Sequence, residues 1–494
     1  MRSAVCVVLS LGSVVACSAA AEPALLVGEI EVIHHETQPM VVDLCFELSE
    51  PDPDRAILVT AVDLDDPGVV SARLSPLDGD PECVRVRGLE PGVEHELELQ
   101  LGDVERHGVS FTTLAPLPGY LDSFAVSSAD ASAASDDYRL FDLSVLFSDE
   151  PLGVFAVDNQ GVTRWYLGGP PMSAGLPALW TGLSLRDNGE ILLLRDDAAL
   201  IVDELGIEQL RIEADTLGVP GFHHDILELP NGNFVALSFS FRDIDYGPEG
   251  VLPVAGDRIV EFTPAGELVW SWDSFDHLDT NRRVEDFWGT FVIVNPATGV
   301  EHHDWTHANG LVYEPSRDEL LVSLRHQDWV LALDRESGQI RWRLGPEGDF
   351  SLSAGSWFWH QHSPQWQADG SLLLYDNGIG DPALPIEQAR SRAVRYVLDT
   401  ASMTATQAWE DDAAPFLSTV AGDADRTSDG TMLALDSLIA VDPLDPLAGA
   451  YMRIRELDPS ASPMQVWSLT GPVGRFAYRA VPINRLVGAA SDPR

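Results

Sequence analysis

Nine of the 13 histidines fall between His223 and His362, and they come in clusters. The clusters are Phe222-His223-His224-Asp225, the run His302-His303-Asp304-Trp305-Thr306-His307-Ala308-Asn309, and His360-Gln361-His362. Near neutral pH an imidazole is a nucleophile, a proton carrier or a metal ligand, so density alone leaves three chemistries open. Spacing selects among the histidines. His224 precedes Gly232 by eight residues and His362 precedes Gly370 by eight, and each glycine closes an Asn-Gly or Asp-Gly turn. The two histidines therefore occupy matching points of a repeated unit. His307 heads the corresponding strand of a third unit, with Leu320-Leu321-Val322-Ser323 as the return strand. Arg325 follows that strand, at the point matched by Asn377 and Phe239 seven residues beyond their turn glycines. A guanidinium beside three imidazoles is a fixed cationic fork suited to sulfate, phosphate or carboxylate.

The unit that must position these groups recurs from about Tyr120 to Asn484. Its second half is a strand, a polar turn and a strand ending in tryptophan, at 157–165, 259–270, 331–342, 396–409 and 454–467. Gly161, Gly266 and Gly338 each stand four residues before the tryptophan, and Gly206 stands likewise before Leu210, so six strand pairs are counted. The first half is a hairpin turning on Asn188-Gly189, Asn231-Gly232, Asp369-Gly370 or Asp429-Gly430, dipeptides that supply the positive φ of two-residue turns. Two hairpins per unit, repeated about six times without helical periodicity, predict a six-bladed β-propeller over residues 120–485. Equivalent positions on different blades surround one axis, so His224, His307, His362 and Arg325 are expected to converge on the central channel.

Upstream, residues 27–115 alternate short strands with Pro, Asp and Gly clusters, which predicts a small β-sandwich. The stretch 84–92, followed by 96–99 and closed by Phe111-Thr112-Thr113, resembles a fibronectin type III module, with His95 where that family usually has its corner tyrosine. Ala115-Pro116-Leu117-Pro118-Gly119 reads as a linker. The expected fold class is all-β: a six-bladed β-propeller preceded by a β-sandwich.

Composition and the N-terminus bear on address and partners. A formal net charge of -48 repels a phosphate backbone and excludes nucleic acid as partner. All 30 basic residues are arginines, which removes Schiff-base chemistry and the lysine of a P-loop. Met1-Arg2, the apolar run 4–15 and the exit Val14-Val15-Ala16-Cys17 read as a signal peptide over residues 1–16. The exit resembles a bacterial lipobox, in which Cys17 is acylated after cleavage. With Cys6 removed and Cys17 carrying lipid, Cys45 and Cys83 remain as a pair in an oxidising compartment, and they are expected to be bridged. The expected location is the bacterial cell envelope, periplasmic or outer-membrane, with membrane attachment through the lipid anchor only.

His-His-Asp at 223–225, Asp-Trp-x-His-x-Asn at 304–309, Ser-x-Arg at 323–325, the strand pair from Asp334 to Trp342, and Gln361-His362 leading to Asp376-Asn377-Gly378 together resemble the motif set of the bacterial arylsulfotransferases. The 18-residue gap from His307 to Arg325 agrees with that family. The resemblance covers roughly residues 150–470. It implies transfer of a sulfuryl group from an aryl sulfate to a phenol by a ping-pong route, without nucleotide, metal or other cofactor. By the same resemblance His362 is the nucleophile, while His224, His307, Asn309 and Arg325 hold the sulfuryl oxygens. Ser418 and Thr419 are candidates for a further hydroxyl contact, and Gly310 stands where the family commonly has serine. Relatives imply a homodimer through the sandwich.

Two other readings fit the residues. His and Asp clusters of this density build metal sites, as in a metal-dependent hydrolase or lyase. A propeller lipoprotein that binds an anion or other ligand without turnover would use the same channel. His223, His302, His303 and His360 carry no register argument and are read as supporting, Asp225 and Asp304 as orienting a histidine or closing a turn, and Phe239, Trp288, Trp357, Phe358 and Trp359 as candidates for the channel mouth.

Overall fold

Strands of four to eight residues broken by turns dominate the chain, as its apolar alternation and turn glycines require. A computed structural model describes residues 26–48, 52–66, 70–77, 82–101, 105–128, 133–145, 153–168, 180–284, 288, 291–442 and 447–488. The expected signal segment and Cys17 lie outside the described residues. Among the described residues the architecture is all-β, with one short α-helix, Ser274–His277, and no helix long and apolar enough to cross a membrane. The chain divides into two compact units, Met1–Ala115 and Pro116–Arg494.

In the first unit a three-stranded sheet (Leu26–His34, Val41–Leu48, Glu82–Arg87) and a four-stranded sheet (Val70–Leu77, Asp52–Asp63, Glu94–Leu101, Glu105–Thr112) share one apolar core. Val42, Leu44, Phe46, Val84 and Val86 meet Ala61, Leu97, Leu99 and Leu101 there. Cys45 and Cys83 lie directly opposite on neighbouring strands and are disulfide-bonded, S–S 2.03 Å, as the cysteine count predicts. His95 does what a corner tyrosine does, bonding through Nε2 to the Glu90 carbonyl at 2.8 Å. Its Nδ1 faces the buried Asp63 carboxylate at 2.6 Å.

In the second unit six sheets follow one another along the described chain, antiparallel except where Glu301–Asp304 pairs with Val251–Phe262 and Ser351–Ala354 with Thr404–Glu410. Their first strands are Thr181–Leu185, Phe222–Glu228, Ala308–Glu314, His362–Trp366, Asp423–Arg426 and, for the sheet containing Tyr138–Val145, the late strand Ala480–Ile483. Each of these touches the next, and Ala480–Ile483 touches both Asp423–Arg426 and Thr181–Leu185, so the six form a closed ring. The chain ends are exchanged between neighbouring sheets. Ala480–Ile483 pairs with Tyr138–Val145, while Ala125–Ser128 pairs with the outer strand Gln465–Thr470 of the last sheet.

Outer tryptophans join sheet to sheet. Trp165 Nε1 donates to the Glu204 carbonyl, Trp467 Nε1 to that of Asn159, and Trp272 Nε1 to that of Gly338, each in a turn of the next sheet. Trp270, whose spacing marks it as the strand-ending residue of its unit, is only half-buried, and Trp272 forms the link. The ring of first strands brings the histidine-bearing segments together.

Candidate active site

The three histidine-bearing strands are not regular. Phe222–Glu228 shifts register between His223 and Ile226, Ala308–Glu314 between Ala308 and Gly310, and His362–Trp366 between His362 and Gln365. Such bulges re-aim side chains. Backbone φ is positive at His224 (59°), His307 (48°) and Ser363 (45°), a conformation that L-residues hold only when their surroundings impose it. In the bulge near His307, a Cβ on Gly310 would stand 2.9 Å from Pro364 Cδ, so a serine there would press on the neighbouring strand.

His224 and His307 face each other edge-on with ring centroids 4.8 Å apart, and His326 stacks obliquely on His307 at 4.5 Å. His362 and Arg325 complete the group. Burial first, then the charges of His307, His223, His362 and Arg325, hold His224 well below the ordinary imidazole value. Burial and then Arg325 and His307 do the same for His362. Both rings are therefore neutral at pH 7.

The Asn377 amide fixes the state of His362. Asn377 Nδ2 donates to the carbonyls of Ser418 (2.7 Å) and Ala421 (3.0 Å), which turns Oδ1 toward His362 Nδ1 at 2.7 Å. Nδ1 must donate to that oxygen, so the neutral ring carries its lone pair on Nε2. Arg325 is buried and donates from Nη2 to the Thr419 carbonyl at 3.1 Å. His307 Nδ1 lies 2.5 Å from Asp304 Oδ2, so Asp304 orients a histidine as expected.

Other expected residues take different places. Asn309 donates to the Gln361 carbonyl at 2.8 Å, one residue before His362, and its buried Oδ1 has no partner among the described residues. Ser418 and Thr419 approach through backbone carbonyls, and the Ser418 hydroxyl receives the Leu438 amide instead. Among the described residues the Asp225 carboxylate has no hydrogen bond to a histidine: it takes the Arg479 guanidinium on both oxygens at 2.8 Å and the Leu311 amide. His360 is wholly buried under the Arg325 carbonyl (3.1 Å) and beside Asp328 (2.9 Å). His302 packs on Phe241, and His303 stacks on Trp288. Phe358 is buried in an interior cluster with Tyr396, and the partly buried Trp357 packs against it.

The repeat does not mark Tyr478, which precedes the late strand Ala480–Ile483 and no counted hairpin. Its ring lies 5.3 Å from that of His224, and its hydroxyl donates to the Asn309 carbonyl at 2.9 Å. Among the described residues Asp304, His307 and His326 are the one cluster with donor atoms grouped as metal ligands would be, all within 4.8 Å. The 2.5 Å between Asp304 Oδ2 and His307 Nδ1 is a hydrogen-bond distance, whereas two ligands on one tetrahedral zinc stand about 3.3 Å apart. Asp304 Oδ2 and His307 Nδ1 therefore share a proton.

The sequence profile of the family described as Arylsulfotransferase (ASST) matches residues 125–471. The protein named arylsulfate sulfotransferase AssT from Escherichia coli O6:H1 is 25% identical over 321 residues, with 52% of this chain and 52% of that protein covered. AssT of Lelliottia amnigena is 24% identical over 323 residues, again with 52% of each covered. The chain thus spans about half the length of the curated relatives it matches. Among solved structures, a protein of unknown function from Bacteroides caccae aligns with a TM-score of 0.43 at 14% identity, over 71% of this chain and 100% of that one. An auxiliary nutrient binding protein from Bacteroides ovatus aligns with a TM-score of 0.33 at 10% identity, over 91% and 87%. The family profile covers more than half of the 494 residues and includes the segments that carry His224, His307, Arg325 and His362, and the chain belongs to the arylsulfotransferase family.

Proposed function

We propose that this protein is an aryl-sulfate sulfotransferase that moves a sulfuryl group from an aryl sulfate to a phenol through a sulfohistidine on His362. The observation that carries the reading is the hydrogen bond from His362 Nδ1 to Asn377, which leaves Nε2 with its lone pair beside a buried guanidinium. In the first half-reaction Nε2 attacks sulfur, the bond to the aryl oxygen breaks, and the phenol leaves. In the second, an acceptor phenol oxygen attacks the same sulfur and the N–S bond breaks. Charge in such a loose transition state spreads over the equatorial oxygens, so fixed cations and N–H donors contribute most of the catalysis. Arg325, His224 and His307 supply that complement, and Asn309 braces the His362 strand. No cofactor enters this scheme.

The six sheets of the second unit are read as six propeller blades over residues 120–485, preceded by a fibronectin-like sandwich over 27–115. Export through a signal peptide over 1–16, acylation of Cys17 and pairing into a homodimer complete the proposal. The family's substrates, small aryl sulfates and phenols, are assigned to this chain on the same footing.

Rapid mixing with 4-nitrophenyl sulfate tests the reading. One nitrophenol per chain is expected in a burst, with the protein gaining the mass of one sulfuryl group and losing it when phenol is added. Absence of both, with activity appearing only on addition of zinc, would support the metal-dependent reading; binding of the sulfate ester without a burst would support a ligand-binding protein.

The Asn377 contact has its own consequence. Asn377→Leu frees His362 to rotate and to carry its proton on Nε2, and the burst rate is expected to fall about 100-fold, the usual scale for losing a partner that orients an imidazole. Donor affinity should change far less, which binding of the unreactive sulfonate analogue would check.

A further inference from the structure

Adjacent residues of a strand point to opposite faces, yet His223 and His224 bring Nδ1 to Nδ1 at 2.8 Å, with their rings nearly perpendicular. The bulge and the positive φ of His224 are what fold the pair together. Behind His223, its Nε2 stands 3.2 Å from Asp257 Oδ1. The other oxygen of Asp257 accepts from the Thr306 hydroxyl and from the Ala308 amide at 2.7 Å, so the carboxylate is fixed on both sides. Burial opposes ionisation of Asp257, but the bonds from His223, Thr306 and Ala308 outweigh it and keep the group below the ordinary carboxylate range. Phe239 packs on the His223 ring at 4.2 Å, and His223 is 7% exposed. An ion-pair contact of 3.2 Å from a buried carboxylate to one imidazole, and a hydrogen bond of 2.8 Å from that imidazole to the one that faces His307, therefore form a continuous polar line.

Only one proton fits between two nitrogens 2.8 Å apart. When it belongs to His223, that ring is an imidazolium against the Asp257 carboxylate, His224 Nδ1 accepts, and His224 Nε2–H is a donor. When it belongs to His224, His223 is neutral and His224 Nε2 is a bare acceptor. The two states differ by one proton: loss of the His224 Nε2 proton, with transfer of the Nδ1 proton from His223 to His224, turns the atom that meets substrate from a donor into an acceptor.

Resting on the sulfotransferase reading, we propose that Asp257 and His223 are positioning residues that store the proton His224 exchanges with the phenols. In the first half-reaction His224 Nε2–H gives its proton to the departing aryl oxygen, His223 passes its Nδ1 proton to His224 Nδ1, and the Asp257–His223 pair is left with a neutral imidazole. In the second, the acceptor phenol gives its proton to His224 Nε2, the Nδ1 proton returns to His223, and the imidazolium is restored. One proton leaves and one returns per cycle, so no outside acid or base is consumed.

Asp257→Asn tests the store. Its oxygen still accepts from Thr306 and Ala308, but its amide faces His223 and can no longer balance an imidazolium. With 4-nitrophenyl sulfate, whose leaving group needs no proton, the burst is expected to slow only about threefold. With phenyl sulfate as donor, and in discharge of the sulfurylated enzyme by phenol, the loss is expected to reach about 100-fold, the scale of general acid–base assistance. His223→Gln should reproduce the pattern and covers the case in which Asp257→Asn does not fold. A structural role would slow both donors alike, and equal losses for the two donors would overturn the store while leaving His362 as the nucleophile. If the unaltered protein forms no adduct with 4-nitrophenyl sulfate, the sulfotransferase reading itself fails and the store with it.

Discussion

Replacing His362 by alanine is expected to abolish the sulfuryl adduct and to lower transfer by about 10⁴-fold or more, the scale seen when a covalent nucleophile is removed. The reasoning starts from the ring's isolation. His362 is 2% exposed, neutral and committed at Nδ1, so its one available function is the lone pair on Nε2. His307 and His224 are likewise engaged at Nδ1, but by a carboxylate and a second imidazole, partners that can exchange a proton with the ring, whereas the Asn377 amide oxygen cannot. Intact-mass measurement after mixing with 4-nitrophenyl sulfate reads the adduct, and stopped-flow release of nitrophenol reads the rate. The loss must not come from unfolding. Alanine leaves Asn377 Oδ1 without its partner, a cost of about 1–3 kcal/mol, so a modest fall in melting temperature with unchanged far-ultraviolet dichroism is expected. An adduct that persists in the variant would move the nucleophile to another histidine of the cluster.

The sequence predicts much of this site because turn chemistry marks the repeat. Gly232 and Gly370 do adopt positive φ, 83° and 80°, and counting back from them reaches His224 and His362, two members of the cluster. The same count is silent about bulges. His362 is still paired, with Tyr375, whereas His224 lies inside a bulge that absorbs one more residue, so equal spacing conceals a difference in local geometry. Residues outside the counted hairpins were beyond its reach: Tyr478 and Arg479 enter through a late strand whose pairing with Tyr138–Val145 spans most of the second unit. Asp257 did leave a signal, a carboxylate in the middle of the apolar strand Val251–Phe262, where burial without a partner would be costly. The link through Trp272 rather than Trp270 depends on which of two tryptophans faces inward, a matter of register that composition does not contain.

Arg325→Met is expected to slow transfer by about 10³-fold, because it removes the buried cation proposed to face the sulfuryl oxygens. Lysine should recover less than about tenfold of that loss, since a point charge on a flexible stem does not replace a planar fork. Stability is expected to move the other way. Burial pushes the Arg325 guanidinium down to about 10, against the pull of Asp328 and Asp304, so the cation is less welcome in the folded protein than in the unfolded chain. Its charge thus opposes folding at every pH below that value, and the opposition is relieved as pH rises through it. Methionine should leave the melting temperature at pH 7 equal or higher. The same sign governs the rate: the guanidinium is charged at pH 7, and transfer by the unaltered protein should decline as pH passes about 10, a decline absent from the methionine variant. Melting curves and kcat/KM measured across that range separate the two outcomes. A variant that loses stability and activity together would make Arg325 a strut of the ring, whereas activity lost with stability retained identifies a cation kept for the sulfuryl group at the fold's expense.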